Sequence, residues 1–162
     1  MSKNPYKTWW SSNPTAIVSI TTYNWIGGEF AFDTPGRVFG LRAFIPAGSS
    51  IPRTGQIWQG GQTTLLGNLL LHQIAPATSQ WQNAYFKKAI RIVPGSPYLV
   101  AVLLKGNYGR TPTAFAAGSI AHGHITMFGS FNNTFVSPID NPPTLNTNAN
   151  GVDVIFLPDS GV

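Results

Sequence analysis

Proline and glycine recur along this whole chain at intervals that leave little room for a helix. The sequence holds 13 prolines and 17 glycines in 162 residues. Proline removes a backbone donor and clashes with the preceding helical turn, and glycine weakens a helix, so nearly every window of helical length is interrupted. The pattern therefore predicts no helix and favours many short strands joined by turns.

Between these breaks lie segments that are rich in β-branched and aromatic residues. Several alternate, with Phe30 and Phe32 on one face of a strand and Phe39, Leu41, Ala43 and Ile45 on one face of the next. The segments are TAIVSITT, GEFAFD, RVFGLRAFI, GQIWQ, LLGNLLLHQI, WQNAYF, AIRIV, YLVAVLLK, HITMF and VDVIFL. Their spacing predicts an all-β fold, a single antiparallel β-sandwich whose topology is either jelly-roll or immunoglobulin-like. YLVAVLLK is apolar on both faces, which indicates a central strand covered on both sides.

The chain divides into a short N-terminal arm, residues 1–14, and one sandwich domain, residues 15–162. The arm reads MSKNPYKTWWSSNP, with lysines beside a tyrosine and two tryptophans. It lacks the apolar segment and cleavage site of a signal peptide, and no stretch reaches the ~20 apolar residues of a membrane helix. Either this is the mature form of the chain or the protein is made and used without secretion, and no membrane partner is expected.

Four ordered landmarks carry a resemblance to a known family. They are GGEFAFDTPGRVFGLRAFIPAG, RTGQIWQGGQTTLL, SQWQNAYFKKAIRIVPGSPYLVAV and GVDVIF. In order and spacing they resemble a family of extracellular-type β-sandwich modules of unknown function, from about Gly28 to Leu157. Such modules occur in secreted bacterial proteins, often beside sugar-binding or adhesion domains, and in bacteriophage virions. The resemblance implies a sandwich with a display or binding role and implies no catalytic residues.

The residues that carry chemistry form no catalytic motif, and the chain has no cysteine. His122 and His124 would share a strand face and could approach one metal, with His72 or an acid as third ligand, but a polar strand face explains them as well. Asp140, among asparagines, could bind Ca²⁺ or simply form a turn. No nucleophile elbow, phosphate loop or carboxylate pair stands out. We expect no enzyme activity, no bound metal and no cofactor.

Three residues are candidates for contact with a sugar or another surface: Trp25, Tyr108 and Arg110. Trp25 precedes two glycines that suggest a turn, and Tyr108 lies in KGNYGRT, which resembles a loop tip. Aromatic rings at such places can stack on the apolar faces of sugars. Trp58 and Trp81 fall on family landmarks and are expected to pack in or beside the core.

The net charge is +5, but the basic residues are scattered and only Lys87, Lys88 and Arg91 cluster. A nucleic-acid binder usually concentrates its charge on one face, so no nucleic-acid partner is expected. The cluster is interpreted as solvated strand ends, with an acidic partner surface as the functional alternative, because opposite charges steer association.

These features favour a non-enzymatic structural protein of a bacteriophage particle. The expected position is the capsid exterior, as a decoration or cement protein in symmetric copies on the major capsid protein, assembled in the host cytoplasm; a tail or fibre position is the second choice. The alternative is a carbohydrate-binding or adhesion module of a cell-surface or secreted protein, with a host-surface glycan as ligand.

The arm is the predicted partner-binding element, through Tyr6, Lys7, Trp9 and Trp10. Aromatic side chains give large contact areas at small entropic cost, and Lys3 and Lys7 favour an acidic surface. The alternative is that Trp9 and Trp10 fold back onto their own domain.

Overall fold

The computed structural model describes residues 5–49, 54–60, 64–71, 75–134 and 143–160. Every regular element among these residues is a strand, as predicted, and none of them forms a helix that could cross a membrane. The strands are β1 (Ala16–Phe32), β2 (Gly36–Ile45), β3 (Thr54–Gln59), β4 (Leu65–Leu70), β5 (Gln80–Ile92), β6 (Tyr98–Thr111), β7 (Ile120–His122), β8 (Ile125–Thr134), β9 (Ala149–Asn150) and β10 (Val152–Pro158).

The strands form two antiparallel sheets that pack face to face, which confirms the predicted β-sandwich. The larger sheet has the order β4-β3-β6-β1-β8-β7, and the short β9 pairs with the end of β6. The smaller sheet has the order β10-β2-β5. Both sheets contribute buried residues to a single large core, including the predicted Phe30 and Phe32.

Strand β6 lies in the middle of the larger sheet and is buried on both faces, as YLVAVLLK predicts. Tyr98, Val100 and Val102 face the main core. Leu99 and Ala101 point the other way, into a second cluster on the outer face that also contains Trp25, Trp58 and Phe131. The alternation that an exposed face would require is absent from Tyr98 to Val102 because neither face of that part of the strand meets water.

Two pairs of predicted strands are continuous in the structure. TAIVSITT and GEFAFD are both part of β1, so the turn expected at Gly27 and Gly28 is wrong. A Cβ atom on Gly27 would collide with the carbonyl oxygen of Val100 and with the side chain of Ala101, which lies opposite Gly27 on β6. The missing side chain therefore serves the close approach of two strands rather than a turn.

WQNAYF and AIRIV likewise form one strand, β5, which bulges in its middle. Tyr85 lies opposite Gly40 of β2, whereas Ile90 lies opposite Val38, so four residues of β5 oppose one residue of β2. Phe39, predicted on the core face, is instead half-buried beside Tyr6, with 5.5 Å between the ring centroids, and Val38 is in the core. Against β10, Gly40 lies opposite Ile155 and Val38 opposite Phe156, so Phe39 is an extra residue of β2 that breaks the period of two that the prediction assumed.

Because the smaller sheet is narrower, the described residues leave two seams between the edges of the two sheets. The first seam lies between β10 and β7, and the second seam lies between β5 and β4. The residues at these two seams include most of the side chains with a candidate role.

Candidate partner-binding surfaces

The N-terminal segment, described from residue 5, fills the first seam. The Lys7 N–H donates to the Phe156 carbonyl at 2.7 Å, and the Phe156 N–H donates back to Lys7 at 2.9 Å, which extends the smaller sheet beyond β10. On the other side, the Trp9 indole N–H donates to the Ile120 carbonyl of β7 at 2.9 Å. The segment therefore links the two sheets across an open side of the sandwich.

Trp9 and Trp10 are buried in the core of their own domain, with 4% and 6% of their surfaces exposed. The Trp9 ring stacks on His122 at 4.6 Å, and Phe115 lies 5.8 Å from it. The expectation that these rings are buried against a neighbouring subunit is therefore wrong. The alternative is correct: Trp9 and Trp10 fold back onto their own domain. Tyr6 is on the surface and Lys7 is half-buried, while Lys3 lies outside the described residues.

A buried carboxylate, Asp153 of β10, holds this segment in place. It accepts the backbone N–H of Trp9 at 2.9 Å and that of Trp10 at 2.7 Å, one on each oxygen. Arg42 of β2 donates to the same carboxylate through Nε at 3.0 Å and Nη2 at 2.8 Å. Burial raises the pKa of Asp153, and the charge of Arg42 and the hydrogen bonds from Trp10 and Trp9 oppose that rise.

Arg42 connects this carboxylate to the aromatic residues around it. Its Nη2 also donates to the Trp10 carbonyl, and its guanidinium carbon lies 4.4 Å from the centre of the Trp81 ring. Sequence reasoning missed both members of the Arg42–Asp153 pair. The available signal was one charge inside each of two otherwise apolar strands, FGLRAFI and VDVIF, since an isolated charge in a buried strand needs a partner.

Trp25 and Tyr108 are buried, so the prediction that they are surface aromatics is wrong. Trp25 packs edge-on against Trp58, with 5.3 Å between the rings. KGNYGRT is no loop tip, because β6 continues through Thr111; burial raises the pKa of Tyr108 there. Arg110 is half-buried on the same strand. Trp58 lies in the outer-face cluster and Trp81 at the core's rim, as predicted.

The two histidines do not share a strand face, because Gly123 between them forms the β7–β8 turn with a φ of +58°. The Nδ1 atom of His122 lies 2.7 Å from the Trp9 carbonyl oxygen, and that of His124 lies 2.7 Å from the Asp33 carboxylate. The residues that the structure describes contain no group of three or more metal-binding side chains. His72 and Asp140, the other candidates, lie outside them.

At the second seam, the bulge of β5 and the facing part of β4 line a groove of about 540 Å³. A Cβ atom on Gly67 of β4 would lie 2.9 Å from Phe86 Cε1 and 3.0 Å from Ile90 Cδ1. The β4 backbone therefore rests directly on β5 side chains, which closes the core beneath the groove. The groove is a surface feature with a packed floor.

Positive charge borders this groove. Lys87 and Lys88 are consecutive exposed residues of the bulge, and neither forms an ion pair with the described part of the chain. Arg91 is different, since both its terminal nitrogens donate to Asp159, at 2.7 and 2.6 Å. The hydrogen bond from Arg91 lowers the pKa of Asp159. The uncompensated charge of the cluster therefore belongs to the two lysines.

The edge strands of the second seam also expose large apolar side chains. Leu70 of β4 is 78% exposed and Tyr85 of β5 is 59% exposed, and Leu65 is exposed as well. In the described ranges, β4 pairs only with β3, and β5 only with β2. Edge strands with free backbone groups and exposed apolar side chains can pair with another chain unless they are protected. This combination marks the second seam as the candidate binding surface.

Two packed antiparallel sheets with a basic groove between their edges define the molecule as a β-sandwich module. Residues 11–152 match the family described as a domain of unknown function (DUF4082), and the chain belongs to that family. Comparison with curated proteins finds no match. The family match includes the second seam and Arg42, whereas Lys7, Trp9 and Trp10 of the first seam precede it.

Proposed function

We propose that this chain is a non-enzymatic structural protein that binds a larger assembly through its second seam. The observation that carries the proposal is the groove between two facing edge strands, with Lys87 and Lys88 in its lining and with Leu65, Leu70 and Tyr85 exposed elsewhere on the same two strands. Exposed apolar side chains on a free edge with charge of one sign suit docking to a complementary surface.

The carboxylates of the described residues support this proposal because structural roles account for most of them. Asp153 is buried beneath the N-terminal segment, Asp159 pairs with Arg91, and Asp33 pairs with His124. Glu29 is half-buried on β1, where burial raises its pKa. None of these carboxylates lines the groove of the second seam, whose chemistry is that of binding.

The proposed assembly is a bacteriophage particle, in which the chain is a decoration or cement protein on the capsid exterior; a tail or fibre position is the second choice. The partner is then the major capsid protein, and the copies follow the particle's symmetry. Repetition of a modest interface over many copies strengthens attachment. A net charge of +5 favours an acidic partner surface and makes attachment sensitive to salt.

The test is co-expression of the chain with the capsid proteins of its own genome, followed by mass-spectrometric counting of its copies on purified particles. Wild type should be present in a fixed symmetric ratio. Lys87→Glu/Lys88→Glu should fall well below it, whereas Lys105→Glu, which reverses a charge on β6 beside Tyr23, should not. Purified particles that carry none of the chain, although it was co-expressed with them, would overturn the proposal.

A carbohydrate-binding or adhesion module is the second candidate, and one observation favours it. Trp81, at the start of β5, lines a groove of about 600 Å³ with Gln80, Gln82 and Asn83. Arg42, Trp10 and Phe44 pack against the half-buried Trp81 ring, and its exposed part beside amide side chains offers a contact surface and hydrogen bonds for a sugar. Binding of the purified chain to a glycan array, lost in Trp81→Ala and retained in Lys87→Glu/Lys88→Glu, would move the assignment to this candidate.

A further inference from the structure

We propose that the second seam binds an extended acidic segment of the partner protein, which adds to the sandwich as an extra strand. The inference rests on the proposed function and specifies its partner chemistry. It is carried by the direction of the free backbone groups at β5 and β4, by the way the first seam is filled, and by the charge of the β5 bulge.

The ladder geometry shows which backbone groups of β5 face away from β2. The Phe44 N–H donates to the carbonyl oxygen of Gly151, which directly precedes β10, at 2.8 Å. Successive residues of an antiparallel strand point to opposite sides, so Ala43 points toward β5, where Gln82 is its partner. By the same alternation, Asn83 and Tyr85 present their N–H and C=O groups to the open side of β5.

The same reasoning applies to β4. The Gln59 N–H donates to the Thr64 carbonyl at 3.2 Å, so Gln59 and, two residues earlier, Ile57 point toward β4. The partner of Ile57 is Gly67, which therefore points back toward β3. Asn68, the next residue, presents its backbone groups to the groove that it lines. Both sides of the second seam thus offer unpaired backbone groups to an extended segment.

The first seam shows how such an opening is closed in this fold. There the N-terminal segment pairs with the free edge of β10 through Lys7 and Phe156 and reaches β7 through Trp9. At the second seam, no described segment of the chain pairs with the edge of β5 or β4. A partner segment would do there what the chain's own N-terminal segment does at the first seam.

The charge of the groove selects an acidic occupant. Lys87 and Lys88 are available in the bulge, while Arg91 is already paired with Asp159. A second copy of this chain is a poor occupant, since it has 10 basic and 5 acidic residues. Leu66 and Ile90 in the groove lining add apolar contact area, and the edges offer backbone donors and acceptors, which suits a peptide better than a phosphate backbone.

The first experiment measures binding of a fluorescein-labelled peptide of about ten residues that alternates threonine and glutamate, a strand-forming acidic probe. Fluorescence anisotropy with the full chain should detect it and should detect no binding of the matched threonine–lysine peptide. Lys87→Glu/Lys88→Glu should weaken affinity about tenfold or more, because charge-assisted contacts are lost. Lys105→Glu is the control, and equal weakening by it would overturn the role of the groove.

The second experiment tests strand addition itself. Asn83→Pro removes an N–H that makes no ladder bond, so the fold should persist by urea titration while peptide binding is lost; Asn83→Ala should bind normally. Asn68→Trp, which fills the groove from the surface, should also abolish binding and covers the case in which the proline variant fails to fold. Hydrogen exchange should show the amides of Asn83 and Tyr85 protected by the peptide.

Binding that survives both Asn83→Pro and Asn68→Trp, or a single-stranded oligonucleotide that outcompetes the peptide, would overturn the inference. The two proposals fail separately. If attachment to particles depends on Lys87 and Lys88 but the peptide does not bind, only the inference of an added strand is overturned. If the peptide binds but the chain never attaches to particles, only the proposed function is overturned.

Discussion

Arg42 donates two hydrogen bonds to Asp153, at 2.8 and 3.0 Å, and this carboxylate is completely buried beneath the N-terminal segment. The pair joins β2 and β10 and supplies acceptors for the backbone N–H groups of Trp9 and Trp10. The Asp153 carboxylate stabilises the fold only while Arg42 remains in place, because either charge without the other would be buried and unpaired.

Replacing the buried carboxylate should be strongly destabilising. Asp153→Asn keeps the shape but leaves Arg42 with no opposite charge, so the free energy of unfolding should fall by about 3–5 kcal/mol. Urea denaturation measures the loss. The matched control is Asp159→Asn, which breaks an exposed ion pair and should barely move the urea midpoint. Equal effects of the two variants would show that the buried pair has no special role.

The Trp9 ring should stabilise the domain itself. Trp9→Ala empties a site between His122 and Phe115 and should lower the free energy of unfolding by about 3–5 kcal/mol. Trp9→Phe keeps an aromatic ring but leaves the Ile120 carbonyl without its donor, at a cost of about 1–3 kcal/mol. Tyr6→Ala, on the surface, is the control. If Trp9→Ala impaired only assembly, the ring would not be part of this core.

The Arg91–Asp159 pair should be visible in a pH titration. The hydrogen bond from Arg91 holds the pKa of Asp159 below its ordinary value. The pair therefore contributes stability at pH values above the ordinary pKa, and this contribution is lost as pH falls through the lowered folded-state pKa. NMR titration of the Asp159 carboxyl carbon should show the pKa rising toward its ordinary value in Arg91→Gln. An unchanged titration would mean that the pair does not persist in solution.

Gly27 should tolerate no side chain, although it lies in the middle of a strand. Gly27→Ala would bring Cβ against the Val100 backbone and should separate β1 from β6, lowering the thermal midpoint by several degrees or preventing folding. Gly48→Ala, in a turn with open space around it but a φ of +67°, isolates the cost of backbone strain alone. A Gly27→Ala midpoint no lower than that of Gly48→Ala would contradict the close approach.

Much of the fold could be predicted from local pattern. Alternation identified strands and placed Phe30 and Phe32 inside, and a run apolar on both faces identified β6 as central. Composition alone did not reveal the role of particular glycines. Gly27 resembles a turn residue because turns and close strand approaches both exploit a missing Cβ atom, and only the position of β6 distinguishes them.

The candidate sites depended more on tertiary structure. The sequence singled out Lys87 and Lys88 as a cluster, but the bulge that exposes both of them depends on how β5 pairs with β2. It singled out Trp9 and Trp10 as an unusual pair, but it did not show whether they cover a partner's surface or that of their own domain. Arg42 and Asp153 are 111 residues apart, so no local pattern could join them.

The sequence by itself determined that this chain forms a sandwich of antiparallel strands, because side-chain alternation and turn residues act within a few residues of each other. The tertiary structure decided which strand edges meet, and hence that one seam holds the chain's own Trp9 while the described residues leave the other seam without an added strand. Pairing of distant edges is set by how the two sheets pack as wholes, which is a property of the assembled sandwich and not of any segment.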